Sequence, residues 1–353
     1  MLQFNTNANY VIGVDLGGTN VRAAIVSRGG KIVSEYRTDS LAMEGLDITI
    51  GQIVAAVKAA IELSGVPPSD IAGVGMGVPG TIRSAEGIVL WSPNFKGWDG
   101  VQLLAPIVEL IGLPVFMGND ANVAAFGEYT FGAGRGAKCM VMFTLGTGIG
   151  SGLIMDGKIY TGVSEAAPEL GHHIILADGP RCGCGRFGCL EALAKRDAIC
   201  DRAVRKASLG TYTSLWELAG HDLVNLTPAM IAEAAAGGDA VATDTLDETG
   251  YYIGIGVANA INILSPDKVI IGGGIAQAGD LLFDPIRRSV AIHALAVPLE
   301  ACEVLPAALG DDAGVLGAAA MVLGKMVDKK TSAGYNGLGS SVGGRYATSV
   351  NGA

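Results

Sequence analysis

The run Tyr10-Val-Ile-Gly-Val-Asp15 leads into Leu16-Gly-Gly-Thr-Asn20 and then Val21-Arg-Ala-Ala-Ile-Val26. Further on, the chain repeats the pattern as Cys139-Met-Val-Met-Phe143, Thr144-Leu-Gly-Thr-Gly148 and Ile149-Gly-Ser-Gly-Leu-Ile154. Each time an apolar run meets a glycine-rich turn and a second apolar run, the pattern of a hairpin. A further turn follows, at Arg28-Gly-Gly30 and at Asp156-Gly157. A third strand-like run comes next, Lys31 to Thr38 and Lys158 to Tyr160. Both meanders give way to alternating elements. The first precedes a helix near Gly45–Leu63, a strand Ile71–Gly77, a helix near Val101–Leu110, a strand Val115–Asn119 and a helix Ala121–Tyr129. The second precedes helices near Leu190–Lys206 and Pro228–Ala236, a long helix Ala240–Leu264 and a strand Lys268–Ile271. One meander with an α/β unit behind it, used twice, predicts two similar α/β domains facing each other.

The 353 residues suffice for two such cores. Half of them are hydrophobic and only 16% charged, so a membrane span has to be tested. The charge-free stretch Gly250 to Pro266 holds three glycines and two asparagines. It falls short of the roughly 20 apolar residues a span needs, and it is expected as a buried core helix. The formal net charge of −10 argues against a nucleic-acid partner, since phosphate backbones are held by excess Lys and Arg. Met1 to Asn9 has no basic cluster and no apolar core of signal length. The expected compartment is the cytoplasm, where cysteines stay reduced and a local cluster binds metal.

Such a cluster is present. Glu169-Leu-Gly-His172 is followed by Cys182-Gly-Cys184-Gly-Arg-Phe-Gly-Cys189-Leu-Glu191, a Cys₃His set suited to tetrahedral zinc. Four protein ligands leave no open coordination position, so the zinc is expected to be structural. Glu169 and Glu191 bracket the set without being needed by it, and a rigid loop with spare carboxylates suggests a platform facing a ligand. Cys139, Cys200 and Cys302 lie outside the cluster and are expected as buried thiols.

The glycine turns suit anions, because backbone without Cβ atoms lets N–H groups come close. Asp15 precedes one turn within reach of a hydrated Mg²⁺, and Thr19, Thr144 and Thr147 add hydroxyls. A third glycine-rich site, Gly272-Gly-Gly-Ile-Ala-Gln-Ala-Gly279, follows the strand Lys268–Ile271. There is no Walker A pattern. Asp120 follows a strand end, where open α/β sheets place ligands. It fits a catalytic base and a helix N-cap equally well at this point.

Together, Asp15-Leu-Gly-Gly-Thr-Asn20, the Glu-x-Gly-His run and Cys-x-Cys-Gly-x-x-Gly-Cys-x-Glu resemble the ROK family of repressors and sugar kinases, from about Tyr10 to about Leu323. The resemblance implies a two-domain actin-like (hexokinase/ribonuclease H-like) ATPase fold with a small zinc-binding loop. Residues 1–119 plus 312–326 would form the small domain and 120–311 the large one, with the zinc loop at 169–191. It implies ATP with Mg²⁺ in the cleft, met by Asp15, Gly17, Gly18, Thr19, Asn20, Thr144, Gly146, Thr147, Gly148, Gly272, Gly273 and Gly274. It implies transfer of the γ-phosphate to a sugar 6-hydroxyl, with Asp120 as base. Asn94, Asn119, Glu169, His172 and Glu191 match sugar-binding positions, and His172, Cys182, Cys184 and Cys189 match zinc ligands. Only His172, not His173, sits in the Glu-x-Gly-His frame. Glucose is the expected sugar, with mannose, fructose, allose and N-acetylated hexosamines as rivals, and a homodimer or homotetramer is implied. The repressor branch carries a helix-turn-helix ahead of the kinase-like part. Only 14 residues precede Asp15, so a sugar-sensing repressor is not the expected reading. The final helix is expected from Asp312 to about Leu323. The Gly-, Ser-, Asn- and Thr-rich segment from Asp328 to Ala353 is expected to be a disordered or loosely attached tail.

Overall fold

The computed structural model of the chain describes residues 4–335, apart from 93, 94 and 96. The first meander forms as expected: β1 (Tyr10–Leu16), β2 (Asn20–Ser27) and β3 (Ile32–Asp39). After it come α1 (Leu46–Ser64), β4 (Ile71–Val78), the short strands β5 (Thr81–Arg83), β6 (Ile88–Trp91) and β7 (Val101–Gln102), α2 (Leu104–Ile111) and β8 (Val115–Asn119). α1 buries Ile50, Ile53, Val54, Val57 and Ala60 at helical spacing. It ends at Gly65, whose left-handed φ of 67° closes the last turn. The helix expected near Val101–Leu110 is instead a two-residue strand followed by α2, because Val101 and Val89 pair in a small separate sheet.

The chain then crosses over on α3 (Asp120–Phe131) into the second meander, β9 (Cys139–Leu145), β10 (Ile149–Met155) and β11 (Lys158–Ile159). Beyond the cysteine-rich loop lie α4 (Leu190–Ala194), α5 (Arg196–Ala207), α6 (Leu215–Leu218), α7 (Pro228–Ala236) and α8 (Ala240–Leu264). They are followed by β12 (Lys268–Gly272), α9 (Asp280–His293), α10 (Ala296–Glu300), β13 (Glu303–Pro306) and α11 (Ala313–Tyr335). The single helix expected over Leu190–Lys206 is broken at Lys195, which is extended. The charge-free stretch from Gly250 forms the C-terminal part of α8, where Ile253, Val257, Ala260 and Ile261 are buried as anticipated. Among the described residues no helix is long and apolar enough to cross a membrane.

The two five-stranded sheets have one topology, β3-β2-β1-β4-β8 and β11-β10-β9-β12-β13. α1 and α2 cover one face of the first sheet with a core including Ile12, Met76 and Ile107. α11 covers the other face with Val315, Ala319 and Val322. That helix lies directly on the strands. A Cβ on Gly13 would sit 1.9 Å from the Val315 carbonyl oxygen, and one on Gly75 would sit 1.9 Å from that of Ala318. Only glycine permits the approach. α11 runs past the expected end at Leu323, because Lys325, Met326 and Val327 sustain the helix and Met326 is buried. Of the segment from Asp328, helix continues as far as Tyr335, and the remainder lies outside the described residues.

Glu128, wholly buried on α3, ties the two chain crossings together. Its carboxylate accepts from the Ala133 N–H at 2.9 Å, from Ala308 at 3.1 Å and from Leu309 at 2.7 Å. The last two belong to the segment that carries the chain from β13 to α11.

Candidate active site

The sheets meet along a cleft of about 950 Å³ into which the leading turns of both meanders point. On the first sheet, strand register aligns Asp15 with Arg22 and Arg22 with Arg37, so the three side chains share one face. Arg22 pairs with Glu35 and with Asp312, the latter at 2.6 Å. It also donates to the Asp311 carbonyl at 3.0 Å, which joins β2 to the start of α11. Burial raises the Asp15 pKa above the ordinary carboxylate value, although the charges of Arg22 and Arg37 pull it back. Desolvation therefore outweighs two guanidinium groups.

Asp120 opens α3, but the helix cap is its neighbour. Asn119 Oδ1 accepts from the Asn122 N–H at 3.1 Å, and its Nδ2 donates to the Gly80 carbonyl at 3.1 Å and to Asp120 Oδ1 at 3.0 Å. Asp120 Oδ1 also accepts from the Ala121 N–H at 2.8 Å. With the cap supplied by Asn119, the cap reading of Asp120 falls away and its carboxylate lines the cleft. Its pKa is pushed up to about 6, foremost by burial. The Ala121 N–H opposes the shift and the charge of Asp15 adds to it. A carboxylate poised near neutrality is suited to accepting a proton.

Glu169, His172 and Glu191 line the cleft from the second sheet's side. Glu169 Oε2 stands 4.0 Å from His172 Nε2. The Glu169 pKa is raised, first by burial and further by Glu191, with His172 opposing. Glu191 Oε2 accepts from the Ile149 N–H at 2.9 Å, and its Oε1 lies 3.7 Å from Cys182 Sγ. Glu165 reaches across from the same loop region to accept from the Ser84 N–H at 2.8 Å.

His172, Cys182, Cys184 and Cys189 converge, their donor atoms all within 4.8 Å of one another. Cys182 Sγ is 3.6 Å from His172 Nδ1, and Cys184 Sγ is 3.7 Å from Cys189 Sγ. Zinc–sulfur bonds of about 2.3 Å in a tetrahedron give edges of about 3.8 Å, so the donor set fits zinc. The Arg186 N–H bond is the chief cause drawing the Cys184 thiol down to about 7, whereas burial foremost raises the Cys182 and Cys189 thiols, so that binding a metal there would release their protons. His173 turns away: its Nδ1 bonds the Leu170 carbonyl and its ring packs near Gly256 on α8.

Of the residues singled out in the sequence, Asp15, Gly17, Thr19, Asn20, Asn119 and Asp120 line the first side of the cleft. Thr144, Gly146, Thr147, Gly148, Gly273 and Gly274 line the other, with Glu169, His172 and Glu191. Gly18 and Gly272 do not line it, and Asn94 lies outside the described residues. Gly272 sits in β12, where a Cβ would meet the Ala307 side chain at 2.8 Å. Sequence reasoning does not single out Arg22, Arg37, Trp91 and Asp311, all of which line the cleft. The signal for Arg22 is a charge inside the apolar run Val21–Val26.

Two lobes built on the same meander, with a cleft between their leading turns, are the architecture of an actin-like, hexokinase-type ATPase. Within that class the chain belongs to the ROK family, which matches residues 11–325. It is 39% identical to a glucokinase of Thermotoga maritima over 313 residues, 88% of this chain and 96% of that one. The crystal structure of a ROK family glucokinase from Streptomyces griseus, in complex with glucose and AMPPNP, superposes with a TM-score of 0.76 at 35% identity. That match covers 88% of this chain and 98% of the other. A xylose repressor of Caldicellulosiruptor bescii is 31% identical over 93% of this chain and 81% of the repressor.

Proposed function

We propose that the chain is an ATP-dependent hexose kinase that phosphorylates the sugar 6-hydroxyl, with glucose as its principal substrate. The observation that carries this reading is Asp120. A carboxylate raised to about 6 faces a cleft with glycine turns on one side and Glu169, His172 and Glu191 on the other. Phosphoryl transfer asks the protein for positioning, electrostatic stabilisation and a carboxylate at the attacking hydroxyl. Asp120 would take the proton of the 6-hydroxyl as the oxygen attacks the γ-phosphorus, and the phosphorus–oxygen bond to ADP breaks. Mg²⁺ on the phosphates would stand near Asp15, and Gly17, Thr19 and Asn20 of the first turn, Thr144–Gly148 of the second, and Gly273 and Gly274 would offer N–H groups to the nucleotide. Asn94, Asn119, Glu169, His172 and Glu191 would hold sugar hydroxyls. Zinc on His172, Cys182, Cys184 and Cys189 would fix the loop that carries three of them, Glu169, His172 and Glu191. Residues 1–119 with 312–326 would move as one lobe against 120–311. The glucokinase relatives support glucose, and a compartment holding ATP and free hexose, the cytoplasm, suits the reaction.

The test is a coupled ADP-release assay with Mg-ATP over glucose, mannose, fructose, allose, N-acetylglucosamine and N-acetylmannosamine. Glucose should give the highest kcat/KM. Asp120→Asn should lower kcat by about 10²–10⁴-fold, the usual contribution of a general base, while glucose binding by calorimetry persists. Turnover of another sugar alone would keep the mechanism and change the substrate. The likeness to xylose repressors favours a second reading, a sugar-binding regulator. Sugar binding with no turnover on any substrate would move the protein there.

A further inference from the structure

The segment that carries the metal-ligand cluster also holds the glycine turn between β9 and β10. Two bonds attach them. Glu191 Oε2 accepts from the Ile149 N–H, directly after the turn, at 2.9 Å. The Arg196 N–H, at the start of α5, donates to the Gly146 carbonyl at 2.9 Å. The first bond depends on the turn's sequence, since a Cβ on Gly148 would lie 2.7 Å from Glu191 Oε2. The turn Gly146-Thr147-Gly148 carries no charged side chain of its own, so the nearby charge is brought by Glu191. The other oxygen of the same carboxylate lies 3.7 Å from Cys182 Sγ. One side chain thus touches the turn, the ligand cluster and the cleft.

We propose that Glu191 is a positioning residue for the nucleotide-side turn, so that the metal-bearing loop sets affinity for nucleotide as well as for sugar. This rests on the functional reading above. The turn cannot shift without drawing the Glu191 carboxylate with it, and a loop loosened by loss of its metal releases the Ile149 N–H. Coupling of this kind is reciprocal for binding free energies. A change on the turn must therefore be felt by the sugar, and a change in the metal loop by the nucleotide.

The experiment is calorimetry on the full chain. Mg²⁺ with a non-hydrolysable ATP analogue is titrated without sugar, and glucose is titrated without nucleotide, with zinc content and circular dichroism measured alongside. Glu191→Ala should weaken analogue binding by roughly tenfold or more, the scale of one lost hydrogen bond to a charged acceptor. Glu191→Gln keeps an oxygen for the Ile149 N–H and should restore most of that affinity, a rescue that mere disruption of the loop would not give. Stripping the metal from the wild-type chain should weaken analogue binding in the same sense. Wild-type analogue affinity in a zinc-loaded, folded Glu191→Ala chain overturns the proposal. Should that variant lose its metal or its fold, Gly148→Ala decides. It displaces the carboxylate from the turn side and should weaken glucose binding severalfold with zinc retained, and unchanged glucose affinity overturns the proposal. A wild-type chain that binds neither analogue nor glucose overturns the functional reading beneath it instead.

Discussion

The turn between β1 and β2 and the turn between β9 and β10 hold equivalent places in sheets of identical strand order. Asp15 pairs with Gly77 on the neighbouring parallel strand, and Thr144 pairs with Gly272 in the same way, so Thr144 stands where Asp15 does. The loops differ by one residue. Gly17 to Asn20 separates Leu16 from its partner Val21, whereas only Gly146 to Gly148 separates Leu145 from Ile149. Their charges differ more. The first turn has its own carboxylate, buried among Arg22 and Arg37. The second has hydroxyls and receives its carboxylate from Glu191, 42 positions along the chain from Ile149. A repeated sheet therefore fixes where two turns face the cleft, while unrelated elements decide what charge each presents.

Substituting the matched pair tests this most severely. Asp15→Ala should lower kcat by about 10²–10³-fold, the usual cost of removing one preorganised electrostatic group. Thr144→Ala removes a neutral hydroxyl and should cost about tenfold at most. Steady-state kinetics with Mg-ATP measures both. Equal losses would mean that the turns are chemically equivalent and would break the comparison.

The two crossings between the sheets offer a second test, in stability rather than rate. Glu128→Ala leaves the N–H groups of Ala133, Ala308 and Leu309 without their acceptor. At about 1–3 kcal/mol for each buried unpaired group, the loss should be at least about 3 kcal/mol in chemical unfolding, with Tm lowered. The exposed pair Arg287–Asp284 provides the contrast, since removing it should cost less than about 1 kcal/mol. A Glu128→Ala chain as stable as its parent would mean that the crossings are not tied through this carboxylate.

Much of the fold is legible in the amino-acid sequence, for identifiable reasons. α7 and α8 begin as expected because Thr227 and Asp239 cap them through their side chains and Pro228 opens the first, and they end at Gly237 and at the left-handed Ser265 before Pro266. The meanders are legible because apolar runs and glycine turns are local. The break at Lys195 is not, as no glycine or proline marks it. The Arg196 N–H leaves the helix to bond the distant Gly146 carbonyl, a purely tertiary cause. The small sheet of β5, β6 and β7 escapes notice because strands of two to four residues carry no period. In the site, acids and glycines announce themselves by type. Arg22 and Arg37 require strand register, and the transfer of the cap from Asp120 to Asn119 requires knowing which side chain points along the helix.

The smallest expected effect bears on how Asp15 and Asp120 share the cleft. Asp120 is raised from 3.8 to about 6, so its ionised form, the one the proposed reaction uses, is lost as pH falls through about 6. The profile of kcat/KM should show an acid limb there. Stability runs the opposite way. A carboxyl whose folded pKa exceeds its unfolded value binds its proton more tightly when folded, so its contribution is fullest below 3.8 and declines as pH rises to about 6. Asp120→Asn should accordingly melt above its parent at pH 7, with the gap closing toward pH 4. Burial is the foremost cause of the shift and the charge of Asp15 a lesser one. In Asp15→Asn the acid limb should therefore move to lower pH yet remain above the ordinary carboxylate value, whatever the height of the profile. A limb that fell all the way to the ordinary value would make charge, not desolvation, the governing cause. A limb that did not move would separate the two carboxylates and leave the first turn acting on the phosphates alone.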